Sequence, residues 1–269
     1  MITVIPFPAI DPILIDFGTV FGVPIAIRWY ALLWIGGCLL AWRYVRWFVR
    51  AEPKAMKPED ADDFLFWGII GTVLGGRIGY LIFYAPDMVA AHPSFIFRIW
   101  EGGLSFHGGL AGVVVAVILF TRKRGLPFWS VSDAICCSAP IGLACVRIAN
   151  FINGELFGRV TDVPWAMVFP RGGPEPRHPS QLYEMALEGI VLFVVLHLLS
   201  RNEAIRTKPG LLTGVFFAGY AIARGTVELV RQPDPQLGFL VGGATMGQLL
   251  SIPVLLFGLF MIWRARRRS

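Results

Sequence analysis

The chain has 269 residues, 55% of them hydrophobic and only 16% charged, with mean hydropathy +0.63 and a formal net charge of +6. A soluble domain carries about 25% charged residues, so this composition excludes an ordinary soluble protein and indicates an integral membrane protein. The positive charge is accounted for by loops, so it does not argue for nucleic acid as a partner.

The chain opens with MITVIPFPAIDPILIDFGTVFG, which has no basic start and holds two aspartates, unlike a cleavable signal. Pro6, Pro8, Pro12 and Gly18 break any helix there. Residues 1–22 are expected to form an interfacial arm, with Phe7, Ile10, Ile13 and Leu14 dipping into the membrane. Apolar runs follow near 23–42, 64–84, 104–120, 128–147, 182–200, 210–229 and 243–263. Each is about long enough for a ~30 Å hydrocarbon core, and none alternates as a barrel strand does. The expected fold class is an all-α integral membrane protein with seven transmembrane helices. The seven-helix domain covers 23–263, including outer loops 85–103 and 148–181, and a basic tail covers 264–269.

Basic residues set the orientation. Arg43, Arg46, Arg50, Lys54 and Lys57 fall in one connection; Arg122, Lys123 and Arg124 in a second; Arg201, Arg206 and Lys208 in a third. Arg264, Arg266, Arg267 and Arg268 end the chain. These are every second connection, which makes that face cytoplasmic, the N-terminus outside and the C-terminus inside. The remaining basic residues, Arg28, Arg77, Arg98, Arg147, Arg159, Arg171, Arg177, Arg224 and Arg231, are all arginine. A guanidinium is a permanent charge whose planar fork of donors suits phosphate or carboxylate.

Arg77, Arg147 and Arg224 lie within or at the ends of apolar runs. An intramembrane charge faces a bundle interior or a wet cavity. Two readings stand here: the arginines pair with Glu155, Glu184, Glu188 or Glu228 and hold helices together, or they meet the phosphate of an outer-leaflet lipid. At 100° per residue, Tyr220, Arg224, Glu228 and Arg231 share an arc of about 80°. Glu184 and Glu188 are one turn apart, and Gly71, Gly75 and Gly79 have the spacing of close helix packing.

The run EGGLSFHGGLAG places glycines on both sides of His107, leaving room for a polar substrate to approach the backbone. His107 is either a structural hydrogen-bonder or a catalytic base. No G-x-S-x-G, H-E-x-x-H, P-loop or dinucleotide fingerprint occurs, so no metal or cofactor is expected. Cys38, Cys136, Cys137 and Cys145 all fall in apolar runs without ligand spacing and read as buried apolar residues.

The motifs IRWYALLW, GGRIGY, GGLSFHGGL, RIANFINGELFGR, HPSQLYE and ARGTVELVRQPD together resemble the prolipoprotein diacylglyceryl transferase family over nearly the full length. The family pattern usually reads G-R-I-G-N-F-I-N-G-E; here Val146 and Ala149 stand in place of two glycines, while Arg147, Asn150, Asn153 and Glu155 are kept. The resemblance implies an enzyme of the bacterial cytoplasmic (inner) membrane with its active site toward the outer face. Such an enzyme moves the diacylglyceryl group of phosphatidylglycerol to the lipobox cysteine thiol of a prolipoprotein. A thioether forms and glycerol phosphate leaves. It also implies His107, Arg147 and Arg224 as catalytic residues. Arg147, Asn150, Glu155, Gly158, Tyr30, Tyr80, Tyr220, Glu228 and Arg231 are implied to bind phosphatidylglycerol. No cofactor is implied; the partners are phosphatidylglycerol, membrane lipid and the prolipoprotein signal peptide, which loops 85–103 and 159–181 are expected to dock. Either His107 is the base for the thiol, or the arginine field lowers the thiol pKa by itself and His107 only positions groups. The rival class is a transporter that binds an anionic lipid without chemistry; an inverted repeat, its usual mark, is not evident.

Overall fold

The computed structural model describes residues 5–20, 23–233 and 238–267. Residues 1–4, 21 and 22 of the expected arm, Asp234 of the ARGTVELVRQPD run and Arg268 of the tail lie outside these. The long helices are α1 (Trp29–Phe48), α2 (Pro58–Phe83), α3 (Phe106–Arg124), α4 (Phe128–Ile152), α5 (Ser180–Ser200), α6 (Leu211–Val227) and α7 (Met246–Arg267). Five of them, α2, α3, α4, α5 and α7, are long and apolar enough to cross a membrane. Helix α6 is apolar but has 17 residues, and α1 has 20. The chain is a mostly helical, multi-pass membrane protein.

The amino-terminal region departs from an all-α fold. Strands β1 (Ile5–Pro6), β2 (Ile13–Val20) and β3 (Val23–Arg28) precede the first helix, and β4 (Met167–Val168) comes later. β2 and β3 pair antiparallel; β1 and β4 pair parallel through Ile5 and Met167. Residues 23–28, expected to begin the first transmembrane helix, are therefore strand, and the helix starts at Trp29. The isoleucines of ILIDFGTV and VPIAIR suit a pleated, half-exposed surface better than a helix. Side chains of Asp11 and Asp16 accept from the backbone N–H of Ile13 and Gly18 at 2.8 Å each, shaping the local turns.

The chain divides into two compact units, residues 1–44 with 135–269, and residues 45–134. In the first unit, Phe169 is fully buried among Phe7, Phe151 and Phe157, with ring centroids 5.2–6.2 Å apart. Phe7, expected to dip into the membrane, packs inward against this cluster instead. Ile10 and Leu14 remain exposed.

In the second unit, helix starts and stops follow local chemistry. Pro58 opens α2, with Glu59 and Asp60 in its first turn, and the Asp60 carboxylate accepts from the Lys57 N–H at 3.0 Å. Ser105 caps α3 by accepting from the Gly108 N–H at 3.3 Å, and α3 ends in Arg122, Lys123 and Arg124 before left-handed Gly125. Helices α2 and α3 meet backbone to backbone. A Cβ on Gly71 would sit 2.6 Å from the Gly112 carbonyl oxygen, and one on Gly79 would sit 2.8 Å from the Gly108 Cα. Glycines 108 and 112, expected to admit a substrate beside His107, are used for this contact. Gly112→Leu is expected to push α2 and α3 apart at a cost of about 1–3 kcal/mol. It should read as a lower unfolding midpoint in detergent, with exposed Leu110→Ala as the unchanged control.

Candidate functional site

In the first unit the RIANFINGELFGR run forms the end of α4 and the turn after it. Arg147 lies near the end of α4, and Arg147 Nη1 donates to Asn150 Oδ1 at 3.4 Å. The amides of Asn150 and Asn153 donate to Glu155 Oε1 at 2.9 and 3.1 Å. The turn needs two left-handed residues in three, Gly154 and Leu156. Ser180 and Gln181, at the start of α5, hold it by donating to the carbonyls of Leu156 and Glu155 at 2.9 and 2.6 Å. Gly158 then crosses between two other segments: a Cβ there would lie 2.6 Å from His178 Cβ and 2.7 Å from the Val230 carbonyl oxygen. Gly158 is thus required by backbone packing. Asn153 sits in the polar turn as its sequence position suggested, and Ser180 and Gln181 are partners that sequence reasoning did not assign to the site.

The turn delivers Arg147 to a buried cluster of ion pairs. Glu184 and Glu188 on α5 are fully buried. Arg147 Nε lies 3.1 Å from Glu184 Oε2, close in distance but not aligned for a hydrogen bond. Its Nη2 lies 3.6 Å from Glu188 Oε2, beyond hydrogen-bond length. Arg224 is committed at both ends: Nη1 donates to Glu184 Oε1, and Nη2 pairs with Glu228 Oε1 at 2.5 Å. Helix α6 ends at Val227, which brings Arg231 Nη1 to Glu184 Oε1 at 2.9 Å. Glu228 also accepts from Thr245 Oγ1 at 2.6 Å, and Gly247 is needed beside it because a Cβ there would meet the Glu228 carboxylate carbon at 2.5 Å. Tyr220 lies in electrostatic range of Arg224, Glu184 and Glu188, and Tyr30 in range of Glu155 and Arg147.

Three arginines thus share three glutamates, with Glu184 in contact with all three. The pairing reading is correct for Arg147 and Arg224, and Arg231 joins the same cluster, yet the pairing is unequal. Arg224 and Arg231 have short bonds to carboxylates, whereas Arg147, 13% exposed, makes only long or misaligned contacts. Chemically, Arg147 is the guanidinium with donors left to offer an anion. Glu184 and Glu188 were legible as an acidic pair in an apolar run, a costly feature that signals buried partners.

Arg77 has a different fate. It is buried in the second unit and donates to the carbonyls of Phe95, Ile96, Gly102 and Gly103, the last three at 3.2, 2.7 and 3.3 Å. Its guanidinium lies 4.7 Å from the Phe95 ring centroid and 5.8 Å from that of Tyr80. The expectation that all three intrahelical arginines face glutamate or lipid phosphate fails for Arg77, whose donors are spent on the segment 95–103. Tyr80 belongs to the same clamp, packed over left-handed Gly103 and stacked on Tyr84 at 5.9 Å. His107 lies in the first turn of α3, exposed, edge-on to Phe106 at 5.6 Å, its ring without a hydrogen bond to the described residues. His107 and Tyr80 are in the second unit; the other residues implicated by the resemblance are in the first. Among the described residues no group of His, Cys, Asp and Glu is placed to hold a metal ion.

A family model described as prolipoprotein diacylglyceryl transferase matches residues 18–264. The chain is 57% identical over 263 residues to the phosphatidylglycerol–prolipoprotein diacylglyceryl transferase of Paramagnetospirillum magneticum, covering 97% of this chain and 96% of that one. It is 53% identical over 269 residues to the protein of that name from Rhodospirillum rubrum (99% and 96% covered) and 52% identical over 274 residues to that from Allorhizobium ampelinum (99% and 94% covered). With its arginine–glutamate cluster inside the matched residues, the chain belongs to the prolipoprotein diacylglyceryl transferase family.

Proposed function

We propose that the chain transfers the diacylglyceryl group of phosphatidylglycerol to the thiol of a prolipoprotein's lipobox cysteine. The observation that carries this reading is that the matched span, 18–264, contains the whole cluster, and that the relatives are named for this transfer. In the reaction the sulfur attacks the glyceryl carbon, the carbon–oxygen bond to phosphate breaks, and its electron pair stays on the phosphate oxygen. Developing charge on that oxygen calls for fixed cations in a site poor in water. Arg147 meets the phosphate, and Arg224 supports it from behind, tied to Glu184 and Glu228. Asn150 and Glu155 set the angle of Arg147, while Tyr30 and Tyr220 border it. The thiol comes from the substrate, so the chain's own cysteines carry no role.

The seven helices cross the bacterial inner membrane seven times, with 17-residue α6 as the shortest crossing. Alternating basic connections put the C-terminus in the cytoplasm and the turn at 150–159 at the outer face. The small cap at 159–181, built on Phe169, covers that turn, and the signal peptide docks at the outer side.

The test is reconstitution. Purified protein, phosphatidylglycerol vesicles and a lipobox peptide are incubated, and the peptide mass is followed. A diacylglyceryl mass gain is expected from wild type and from a variant without its four cysteines. No gain with folded wild-type protein would refute the transfer.

A further inference from the structure

Glu188 is the carboxylate of the cluster that no donor reaches. Both of its oxygens are buried and neither has a hydrogen bond among the described residues. Its neighbours differ: Glu184 accepts from Arg224 and Arg231, and Glu228 accepts from Thr245 and pairs with Arg224. Glu188 meets charge only at a distance, Arg147 Nη2 at 3.6 Å and Arg224 Nη1 at 3.9 Å. It sits in the π-helical stretch Met185–Val191 of α5, a local widening that recurs at functional sites. Gly189 beside it is required because a Cβ would lie 2.7 Å from Ala144, one turn before Arg147.

A buried ionised carboxylate without hydrogen bonds is the costliest of the three to keep charged and the least costly to neutralise. The charged and titratable groups facing it are Arg147 from α4, Tyr220 and Arg224 from α6, Arg231 beyond its end, and Glu184 from α5 itself. With Glu228 included, the resting cluster balances three positive charges against three negative ones. A lipid phosphodiester adds one negative charge, and the monoester product carries a second.

We propose that Glu188 is the proton acceptor of the reaction, taking the proton of the attacking thiol and, once neutral, releasing Arg147 to the departing phosphate. This rests on the transfer reading above. The S–H bond breaks and an O–H bond forms on Glu188. The S–C bond forms, the C–O bond to phosphate breaks, and the phosphate oxygen keeps the electron pair. The charge lost at Glu188 is the charge gained on phosphate, so the total inside the membrane does not change. The proton leaves with the glycerol phosphate or passes to water when it departs. Glu188 lies behind part-exposed Arg147, so drawing that guanidinium onto the phosphate uncovers the carboxylate to the thiol.

The test uses full-length protein in phosphatidylglycerol nanodiscs, comparing wild type, Glu188→Gln, Glu188→Asp and His107→Gln. Turnover is followed against pH, and lipid binding without peptide is measured separately. Glu188→Gln is expected to lose about 10²–10⁴-fold in turnover, the usual contribution of a positioned base, while binding phosphatidylglycerol at least as tightly as wild type. Its residual rate should rise with pH toward the free thiol's pKa of about 8.5. Glu188→Asp should recover part of the rate with KM unchanged, and it decides the matter if the glutamine variant does not fold. His107→Gln should keep the wild-type pH profile. The proposal is overturned if Glu188→Gln stays within about threefold of wild type or if its lipid binding falls together with turnover. It is likewise overturned if His107→Gln alone abolishes the pH dependence. Inactive wild type would instead sink the transfer reading on which the proposal rests.

Discussion

Arg147→Ala is expected to reduce lipidation by about 10³-fold while leaving the protein folded. Removing one preorganised donor from a developing oxyanion costs about 10²–10³-fold, and Arg147 supplies the fork with the least prior commitment. Its contacts to Glu184, Glu188 and Asn150 are misaligned, 3.6 Å and 3.4 Å respectively. Glu184 keeps two other guanidinium donors when Arg147 is gone, so the loss of stability is small. Arg224→Ala should behave differently: both ends of Arg224 are bonded, and its removal strips Glu184 and Glu228 together. Arg147→Lys should regain at most about tenfold, because an ammonium offers a point charge where a bidentate fork is needed. Peptide mass, KM for phosphatidylglycerol and the unfolding midpoint together read these outcomes. An Arg147→Ala enzyme within tenfold of wild type would move the phosphate elsewhere.

The helices and their polar residues were legible because a membrane punishes polarity. A 20-residue apolar run has few alternatives to helix, and an arginine inside it demands an acidic or anionic partner. The shared face of Arg224 and Glu228 followed from 100° per residue, and Glu184 with Glu188 followed from one-turn spacing, whereas Arg231 reaches Glu184 from beyond the end of α6. Three features were not legible, each for a physical reason. Residues 23–28 are as apolar as a helix start, and only pairing with residues 13–20 makes them strand. Arg77 has the same local setting as Arg147, but its partners are carbonyls 18 to 26 residues away, which no periodicity encodes. Glycines flanking His107 signal close approach without saying of what, and the neighbour is α2 rather than a substrate. Which arginine keeps free donors is decided by angles of a few tens of degrees, a quantity absent from sequence.

Glu184→Ala is expected to be the most disruptive single change in the first unit. One fully buried carboxylate touches Arg147, Arg224 and Arg231, and Arg231 itself is 8% exposed. Breaking a buried pair by removing one partner costs about 3–5 kcal/mol because the remaining charge is left uncompensated. Here three cations lose a shared counter-charge, while Glu228 and Glu188 compensate Arg224 and Arg147 only in part. The unfolding midpoint should fall by well over 5 °C, at roughly 2–4 °C per kcal/mol for a chain of this size. Glu184→Gln should fall less, since an amide oxygen still accepts from Arg224 and Arg231 although its charge is gone. The decisive comparison is the double variant Glu184→Ala with Arg231→Met. If uncompensated charge is the cause, removing the most buried arginine of the cluster should restore part of the lost stability, with a coupling of about 0.5–3 kcal/mol. Activity should not return, because Arg147 and Arg224 would still lack the carboxylate that aims them. Additive losses in the double variant would mean that Glu184 matters for its packing volume rather than for its charge.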